Sequence, residues 1–364
     1  MGIDMSRAFD TIRRHTIIAL LQDAGCSRDD IRLVQYLLSN TTLRVQVGNC
    51  TSDPFPVLIG AFQGDALSGK LFTLVFAGAL HHLRAVSVRP NPPISILGAP
   101  LESEYADDGD FLDDNRESLD ILLPLAKDIL QQWNLFVNED KTEFVRVYLA
   151  DKSDVNEKGE SLVNNEPWRS NKLLGSLLCS TKDITRRCIL GNAAFSTFKK
   201  IWLQGAKISL ERKLKVYEAQ VVSVMLYNCN SWSAPQNVIN KLDITHRRHL
   251  RSILNIHWPN GRISNKALYK RCKCSPLSDR VTAARWKMLG HILRSGETTP
   301  AYTSLHFALK GAQQYKGRVG RPRSNLFDII VKDLAQRQIN FKNIDDLFYI
   351  TDLAQNRVLW NKLY

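Results

Sequence analysis

The chain has 364 residues, 44% of them hydrophobic, which argues against a wholly disordered protein and is typical of about two or three domains. The formal net charge of +13 divides unevenly, since residues 1–150 carry −7 and residues 151–364 carry +20. An acidic part joined to a basic part favours a metal-binding site next to a surface that binds a polyanion. A basic surface that only faces solvent would give the same distribution of net charge.

Cysteine usage and hydropathy indicate the compartment. The seven cysteines are scattered, and Cys272 and Cys274 have no Cys or His partners at zinc-finger spacing. We therefore expect reduced thiols and an intracellular protein, in the nucleus, the cytoplasm or both. No apolar run reaches the ~20 residues that a membrane span needs, and the start lacks a signal-peptide pattern, so no membrane contact is expected.

The first predicted elements are helical. Apolar residues at helical spacing predict a helix over residues 8–25 and a second one over 29–38, and residues 42–47 alternate like a strand. A glycine-rich segment, residues 60–70, then runs into an apolar helix over residues 71–83. Its glycines allow a ligand to approach the backbone, and a helix N-terminus favours anions, but a glycine-rich loop alone is weak evidence.

Residues 105–110 read Tyr-Ala-Asp-Asp-Gly-Asp and predict a strand–turn–strand hairpin with two adjacent carboxylates at its tip. Neighbouring anions repel each other and are costly to bury unless a cation lies between them. Mg²⁺ is the usual cation for such oxygen ligands. For an Asp-Asp pair considered alone, an exposed acidic turn is the more common structure.

The pattern becomes more helical after the hairpin. We expect a helix over 117–133, strands near 135–144 and 172–178, and a polar surface loop over 152–165. Long helices are expected from residue 183 onward, the last of them over 326–337, followed by a short tail. Pro124 should kink the helix over 117–133 or mark its start. His246 and His249, in a basic amphipathic helix, are expected on a solvated face rather than as metal ligands.

Five short motifs stand in an order that carries a family resemblance. They are Asp4 with Phe9-Asp10, Gln63-Gly64 with Leu67-Ser68, Tyr105-Ala106-Asp107-Asp108, Asn138 with Lys141-Thr142, and Leu173-Leu174-Gly175. The order and spacing resemble the palm of reverse transcriptases, in particular the polymerases of non-LTR (LINE-type) retrotransposons. Each motif alone is weak, whereas five in order are a specific signal.

The resemblance implies an α+β fold, in which a reverse-transcriptase palm (a small antiparallel sheet with helices) precedes an α-helical thumb and a basic helical C-terminal region. The implied domains are the palm over residues 1–182, the thumb over 183–260 and the basic region over 261–364. Residues 285–294 and 320–323 also resemble the C-terminal part of those elements.

The resemblance also implies a two-metal polymerase site. Asp4, Asp107 and Asp108 would be catalytic and would hold two Mg²⁺ ions, which Mn²⁺ could replace. Lys141 would protonate or neutralise pyrophosphate. The implied nucleotide-binding residues are Phe9, which would lie below the sugar and exclude a 2′-hydroxyl, Gln63 and Gly64. Taken alone, Phe9 would be a core residue and Lys141 plain surface.

The chain departs from the family pattern in two places. Asp65 stands where the family has a serine after Gln-Gly, and Ser68-Gly69 followed by Lys70 replaces Ser-Pro. An added carboxylate would repel a triphosphate. The family's fingers region would lie upstream of Asp4, so we expect an N-terminally truncated polymerase without fingers.

Basic residues in the C-terminal half are candidate nucleic-acid contacts. The candidates are Arg285, Trp286, Lys287, Arg294, Arg321 and Arg323. The first four share one predicted helix, which would allow phosphate pairing together with base stacking. The last two flank a proline and resemble a minor-groove hook, for which a plain basic loop is an equal alternative.

The leading hypothesis is an RNA-directed DNA polymerase of a non-LTR retrotransposon that uses dNTPs, an RNA template and a DNA primer or target. The alternative from another class is a non-catalytic nucleic-acid-binding remnant of a retroelement, which the missing fingers favour. A group II intron maturase-like protein is less favoured, because the basic C-terminal pattern is similar to that of LINE elements. Template preference, target site and oligomeric state do not follow from the sequence.

Overall fold

The computed structural model describes residues 1–39, 41–62, 64–87, 101–113, 115–145, 172–205, 207–257, 259, 261–306, 326–339 and 345–363. The chain divides into two compact units, Met1–Val145 (unit 1) and Arg146–Tyr364 (unit 2). The polar loop predicted over residues 152–165 lies outside the described residues.

Unit 1 combines short strands with longer helices. Its strands are β1 (Gly2–Ile3), β2 (Met5–Ser6), β3 (Thr42–Leu43), β4 (Gln46–Val47), β5 (Cys50–Thr51), β6 (Phe55–Pro56), β7 (Glu102–Tyr105), β8 (Asp108–Phe111) and β9 (Phe136–Val137). Its helices are α1 (Ala8–Thr11), α2 (Arg14–Asp23), α3 (Arg28–Ser39), α4 (Ser68–Val86), α5 (Arg116–Gln132) and the 3₁₀ turn Glu139–Lys141. β3 pairs with β6 and β4 with β5, both antiparallel.

The first residues of the chain form a strand at one edge of the main sheet of unit 1. β8 lies between β1 and β7 and is antiparallel to both. After Asp4 the chain leaves β8, and β2 pairs with β9. Gly2 also bridges to Glu143 on this second side. The N-terminal segment therefore has the β7–β8 hairpin on one side and residues 136–143 on the other.

Helix α4 is central to the unit 1 core, because apolar residues cover most of its faces. Its Phe72, Val75 and Ala79 are fully buried, and it packs against α2 and α5. Gly78 allows close packing of Trp133, since a Cβ at this position would lie 2.9 Å from the indole ring. Each fully buried large apolar side chain contributes roughly 1.5–3 kcal/mol to folding, so α4 carries much of the stability of unit 1.

The helix predicted over residues 8–25 is interrupted. α1 ends at Thr11, Ile12 is extended, and α2 begins at Arg14. The reason is tertiary: the carbonyl of Ile12 accepts a hydrogen bond from the backbone N–H of Gly60 at 2.9 Å, and the Ile12 side chain is fully buried. A helix continuing through Ile12 would withdraw this carbonyl from Gly60.

The other long helices of unit 1 agree with the sequence pattern. α3 and α5 match the predicted ranges 29–38 and 117–133 to within one residue at each end. α4 extends three residues beyond the predicted range 71–83 at each end. Pro124 lies inside α5 and does not mark its start.

Unit 2 is mostly helical among its described residues. It begins with an antiparallel hairpin of β10 (Lys172–Leu173) and β11 (Ser176–Leu177). Its α-helices are α6 (Ser180–Phe198), α7 (Leu210–Tyr217), α8 (Ser223–Met225), α9 (Gln236–Ile253), α10 (Asn265–Cys272), α11 (Leu277–Arg294), α12 (Leu326–Ala335), α13 (Asp345–Gln355) and α14 (Arg357–Lys362). Residues 300–306 are also helical, Lys199–Leu203 and Glu218–Val222 are π-helical, and Cys229–Ser231 form a 3₁₀ turn.

Two hydrophobic clusters hold these helices together. The first contains buried side chains of α6, α9 and α10, together with Tyr217 and Trp232. The second joins α11, α12, α13 and α14 around Trp286 and Trp360. These two indoles stack with centroids 4.1 Å apart, and each indole N–H donates to the other residue's carbonyl, at 3.0 and 3.2 Å. Gly290 makes room for the stack, because a Cβ there would clash with the Trp360 ring.

The chain after residue 337, expected as a short tail, contains α13 and α14. Their buried Ile350, Ala354 and Trp360 belong to the second cluster. Packing against a partner helix, rather than a strong local pattern, accounts for their helical state. None of the helices that the structure describes is long and apolar enough to cross a membrane.

His246 and His249 are buried, which corrects the expectation that they lie on a solvated face. Nδ1 of each ring lies within hydrogen-bond distance of the Tyr217 hydroxyl, at 2.9 and 3.2 Å, and Nε2 of His249 lies 2.8 Å from Oδ1 of Asn192. Burial, with a smaller effect of nearby positive charge, lowers the pKa of each imidazole to about 4, so both are neutral at pH 7. This network joins α6, α7 and α9.

Candidate active site

Asp4 occupies the residue at which the N-terminal segment changes strand partners. It lies between β1, which pairs with β8, and β2, which pairs with β9. Its backbone carbonyl accepts a hydrogen bond from the N–H of Asn138 at 2.8 Å. This position fixes the Asp4 backbone between the two neighbouring strands and leaves its carboxylate 26% exposed.

The predicted hairpin is present as β7 and β8. Tyr105 pairs with Asp108, so the turn consists of Ala106 and Asp107, and Ala106 adopts a left-handed conformation with φ 54°. A positive φ is uncommon outside glycine, but tight hairpin turns use it because it matches the strand twist. The turn thus places the two adjacent carboxylates at the tip of the hairpin.

The strand register brings Asp4 to this tip. Gly2 pairs with Asp110 and Ile3 with Gly109, so one further step of the same register places Asp4 across from Asp108. Side chains alternate along β8, where Gly109 is buried and Asp108 lies on the opposite, partly exposed face. The close approach at Gly109 is required, because a Cβ there would lie 3.2 Å from Cγ1 of Ile3.

The three carboxylates influence one another electrostatically. Burial raises the pKa of Asp108, and the nearby Asp107 and Asp4 carboxylates raise it further, whereas Lys141 lowers it. Like charges held this close oppose each other's ionisation. The cluster therefore favours any cation that can enter it.

Lys141 supplies one such cation. It ends the 3₁₀ turn that follows β9, and its Nζ lies 3.0 Å from Oδ2 of Asp4. The hydrogen bond and ion pair with Asp4 raise the pKa of Lys141, and Asp107 and Asp108 add to this effect. The lysine side chain is 65% exposed, so its ammonium group remains accessible. The structure thus brings together Asp4, Asp107, Asp108 and Lys141.

The donor chemistry of this cluster fits a hard divalent cation, because its ligands are carboxylate oxygens whose mutual repulsion a cation would relieve. In the arrangement described, Asp4 is instead paired with the Lys141 ammonium group. Among the residues that the structure describes, no group of three or more His, Cys, Asp or Glu side chains is already arranged to hold a metal ion.

The predicted nucleotide-binding residues lie on α1 and in the loop before α4. Phe9 is half-buried and stacks on Phe72 with ring centroids 4.6 Å apart. Its backbone carbonyl accepts a hydrogen bond from the N–H of Ala61 at 2.9 Å, so the loop is attached to α1. Gly64 has φ +90° and open space where a Cβ would be, whereas Gln63 lies outside the described residues.

One departure from the family pattern, Asp65, contacts the backbone of its own turn. Oδ1 of Asp65 accepts from the backbone N–H of Leu67 at 3.5 Å, a weak contact within the turn that leads into α4. Ser68 is buried and begins α4. The Asp65 carboxylate is therefore used, at least weakly, by the backbone of its own turn.

The candidate nucleic-acid residues of α11 are divided between the core and the surface. Arg285 and Trp286 are buried, and the Arg285 guanidinium pairs with Asp333 at 2.9 Å, so both lie in the core of unit 2 rather than on a binding surface. Arg294 is half-buried and donates to the Ala354 carbonyl at 2.9 Å. Lys287 is exposed. Arg321 and Arg323 lie outside the described residues.

One contact of the hairpin was missed from the sequence. Arg84, in the last turn of α4, forms ion pairs with Glu102 and Glu104 on β7. The signal was present, because Glu-Ser-Glu on a strand places two carboxylates on one face, and Glu102, which is buried there, requires a cation.

Comparison with known proteins places these motifs in a family context. Residues 1–178 match the family model described as "Reverse transcriptase (RNA-dependent DNA polymerase)". The chain is 27% identical, over 164 residues, to the "Retrovirus-related Pol polyprotein from type-1 retrotransposable element R2" of Bradysia coprophila. That match covers 45% of this chain but 18% of the relative, so the chain spans a small part of its curated relative.

Two telomerase structures, both solved with a TWJ fragment of telomeric RNA, are also similar to the chain. The one from Candida tropicalis has 13% identity and a TM-score of 0.35, covering 83% of this chain and 48% of that one. The one from Candida albicans has 11% identity and a TM-score of 0.33, covering 86% and 49%. TM-scores below 0.5 do not establish a shared overall fold.

Proposed function

We propose that the chain is an RNA-directed DNA polymerase of the non-LTR retrotransposon type, because residues 1–178 match the reverse transcriptase family model and the chain is similar to a retrotransposon Pol polyprotein. In this proposal residues 1–182 supply the palm, residues 183–260 supply the thumb, and residues 261–364 form a basic helical extension. The substrates are dNTPs, an RNA template and a DNA primer or target. The net charge of +20 on residues 151–364 supports binding of a polyanion.

One observation supports this function most strongly: β1 pairs with β8, which brings Asp4, the residue after β1, close enough to Asp108 at the tip of the hairpin to raise its pKa. A polymerase needs carboxylates from two distant parts of the chain in one place, and the pairing of β1 with β8 provides this. The raised pKa of Asp108, caused by burial and then by Asp107 and Asp4, supports the same conclusion, because it reflects repulsion among these carboxylates.

Asp4, Asp107 and Asp108 would hold two Mg²⁺ ions, and Mn²⁺ suits the same oxygen ligands. Divalent ions, when bound, activate the primer 3′-hydroxyl and stabilise the pyrophosphate leaving group. In support of this, the two-residue turn holds Asp107 and Asp108 at the tip of the hairpin, and the Asp4 carbonyl accepts a hydrogen bond from the N–H of Asn138.

Lys141 is suited to act on the leaving group. Its pKa is raised by Asp4, so it carries its proton at neutral pH, and its ammonium group is accessible. A protonated amine beside the carboxylates can neutralise or protonate the departing pyrophosphate. Phe9 would discriminate against a 2′-hydroxyl from beneath the sugar, and Gln63 and Gly64 would contact the incoming nucleotide.

Primer extension on an RNA template with Mg²⁺ or Mn²⁺ tests the proposal. Incorporation is expected for the wild-type chain and should be lost with Asp107→Ala plus Asp108→Ala. The matched control is Asp120→Ala, because Asp120 is an exposed carboxylate of unit 1 that pairs with Arg116 on the same helix. Incorporation that survives the double substitution would refute the site.

The same assay separates the alternative, a non-catalytic nucleic-acid-binding protein. That alternative predicts RNA binding that weakens as salt is raised, without incorporation under any metal condition. RNA binding should therefore be measured in parallel, on the wild type and on the double variant.

A further inference from the structure

An arginine of α4 pairs with two glutamates on the back face of the β7–β8 hairpin. Nε and Nη2 of Arg84 both contact Oε1 of Glu102, and Nη2 lies 3.6 Å from Oε1 of Glu104. The side chains of Glu102 and Arg84 are 3% and 20% exposed. Arg84 thus joins the end of α4 to the first strand of the hairpin through a largely buried ion pair.

These carboxylates lie on the face opposite Asp108. Glu102 pairs with Phe111 and Glu104 with Gly109, and residues that pair directly across antiparallel strands project to the same face. Phe111 and Gly109 are buried, and a Cβ on Gly109 would lie 3.5 Å from Cζ of Phe76 on α4. The hairpin therefore rests on α4 through this face and presents Asp108 on the other.

The back face carries two carboxylates, of which Glu102 is buried and Glu104 is partly exposed. Burial raises the pKa of Glu104, the neighbouring Glu102 raises it further, and Arg84 lowers it. Removing one partner of a buried ion pair leaves a desolvated charge, which is strongly unfavourable. Without Arg84, the buried Glu102 carboxylate would lose its cation and would be repelled by the partly exposed Glu104, and separation of β7 from α4 would relieve both costs.

We propose that Arg84 is a positioning residue that holds the Asp107–Asp108 turn in place by neutralising Glu102 and Glu104 on the opposite face of the same hairpin. The strands are only four residues long, so a shift of β7 on α4 is transmitted directly to the turn. The expected effect on catalysis rests on the proposed polymerase function. The attachment of the hairpin to α4 by Arg84, called the clamp below, does not depend on that function.

Hydrogen–deuterium exchange of residues 102–111 tests the clamp without requiring activity. Arg84→Met should speed exchange of this segment by about tenfold or more, while exchange within α5 stays unchanged. Arg84→Lys should restore part of the protection, because it keeps the charge. Arg32→Met is the matched control, since Arg32 belongs to unit 1 but its pair with Asp29 is exposed, at 79% and 93%.

Charge rescue separates neutralisation from simple packing. The triple variant Arg84→Met, Glu102→Gln, Glu104→Gln removes the repulsion together with the arginine, so slow exchange should return. If only the bulk of Arg84 mattered, the triple variant would exchange as fast as Arg84→Met, and the proposal would be wrong. Should Arg84→Met fail to fold, a folded triple variant supports neutralisation and an unfolded one refutes it.

Steady-state kinetics then test the link to the turn. For Arg84→Met, kcat should fall on the order of 10- to 100-fold while KM for dNTP changes little, because a displaced catalytic group costs rate more than nucleotide binding. The triple variant should recover most of kcat. Unchanged kcat together with faster exchange would refute the positioning role. A wild type without polymerase activity would refute the proposed function. The exchange experiment would still show whether Arg84 holds the hairpin to α4.

Discussion

Two clusters of ionisable side chains, one in each unit, differ in whether their charges and hydrogen bonds are satisfied. In unit 1, Asp4, Asp107 and Asp108 oppose each other's charge, and the pKa of Asp108 is raised by burial and by its neighbours. In unit 2, His246 and His249 are buried and neutral, share the Tyr217 hydroxyl, and have their pKa lowered to about 4 by burial.

The difference shows which cluster is available for chemistry. A buried network whose polar atoms have partners stabilises the fold and has no use for a ligand. Carboxylates that repel each other and remain partly exposed cost stability, and a bound cation would recover that cost. The unit 1 cluster therefore has the character of a functional site and the unit 2 cluster that of a structural one.

The largest expected effect separates activity from stability in unit 1. Asp107→Asn plus Asp108→Asn should reduce nucleotide incorporation by at least about 10³-fold, because both are proposed metal ligands. The midpoint of thermal unfolding should not fall, because the substitutions remove like-charge repulsion. A lower unfolding midpoint would show that these carboxylates stabilise the fold and would weaken the comparison.

A smaller loss is expected at the cation of the same cluster. Lys141→Met should lower kcat by about 10²-fold, since it removes the proposed proton donor to pyrophosphate. Lys141→Arg keeps the charge beside Asp4 and should recover only part of the rate. Lys127→Met is the control, because Lys127 forms a comparable 2.7 Å pair with Glu139 on the same 3₁₀ turn. Equal losses for Lys127→Met and Lys141→Met would contradict the assignment.

The pH dependence of stability should have opposite signs for the two clusters. The unfolded-state pKa of a histidine is 6.5 and the folded-state pKa is about 4, so the unfolded chain binds more protons between these values. The free energy of unfolding should therefore fall as the pH falls from 6.5 to 4, on the order of 3 kcal/mol per imidazole.

Asp108 should act the other way, because its folded-state pKa lies above the usual 3.8 and its contribution is lost as the pH rises through that range. Urea unfolding from pH 4 to 7 measures the slope for the whole chain. His249→Gln should reduce the slope, and the exposed His291→Gln should not. A slope that His249→Gln leaves unchanged would show that the buried imidazoles do not control acid stability.

The smallest effect tests the shared hydroxyl of unit 2. Tyr217→Phe leaves a buried imidazole nitrogen without its partner and should lower the free energy of unfolding by about 1–3 kcal/mol, with unchanged activity per folded molecule. Tyr227→Phe is the matched control: its hydroxyl donates to the Leu174 carbonyl at 2.8 Å but is exposed, so its removal should cost about 1 kcal/mol or less. Equal losses would mean that the network is not specially stabilising.

Part of the candidate site followed from local sequence. The Tyr-Ala-Asp-Asp segment predicted a hairpin, and β7 and β8 with their two-residue turn confirm it. Turn chemistry and strand alternation are short-range signals, which is why this element could be identified. The contact between Lys141 and Asp4 joins residues 137 positions apart in the sequence. Its distance and orientation are set by strand pairing and did not follow from local sequence.

The long-range partners of charged and aromatic residues could not be predicted in this way. On α11, helical spacing placed Arg285 and Trp286 together, but it did not show that Asp333 and Trp360, far along the chain, would take both side chains into the core. Arg84 was overlooked for the same reason, because its glutamate partners are on another element.

The amino-acid sequence by itself determined the order of the motifs, the hairpin, the extent of α3 and α5, and the imbalance of charge between the two parts of the chain. Hydrophobic periodicity and turn preference depend on residues close together in the chain, so both can be recognised in the sequence before the structure is known. Tertiary structure alone decided where the first helix breaks, which histidines and arginines are buried, and how Asp4 reaches the hairpin. A charged or polar group is buried only with a hydrogen-bonding or oppositely charged partner, which can be distant in the sequence. Only the folded structure brings the two groups together.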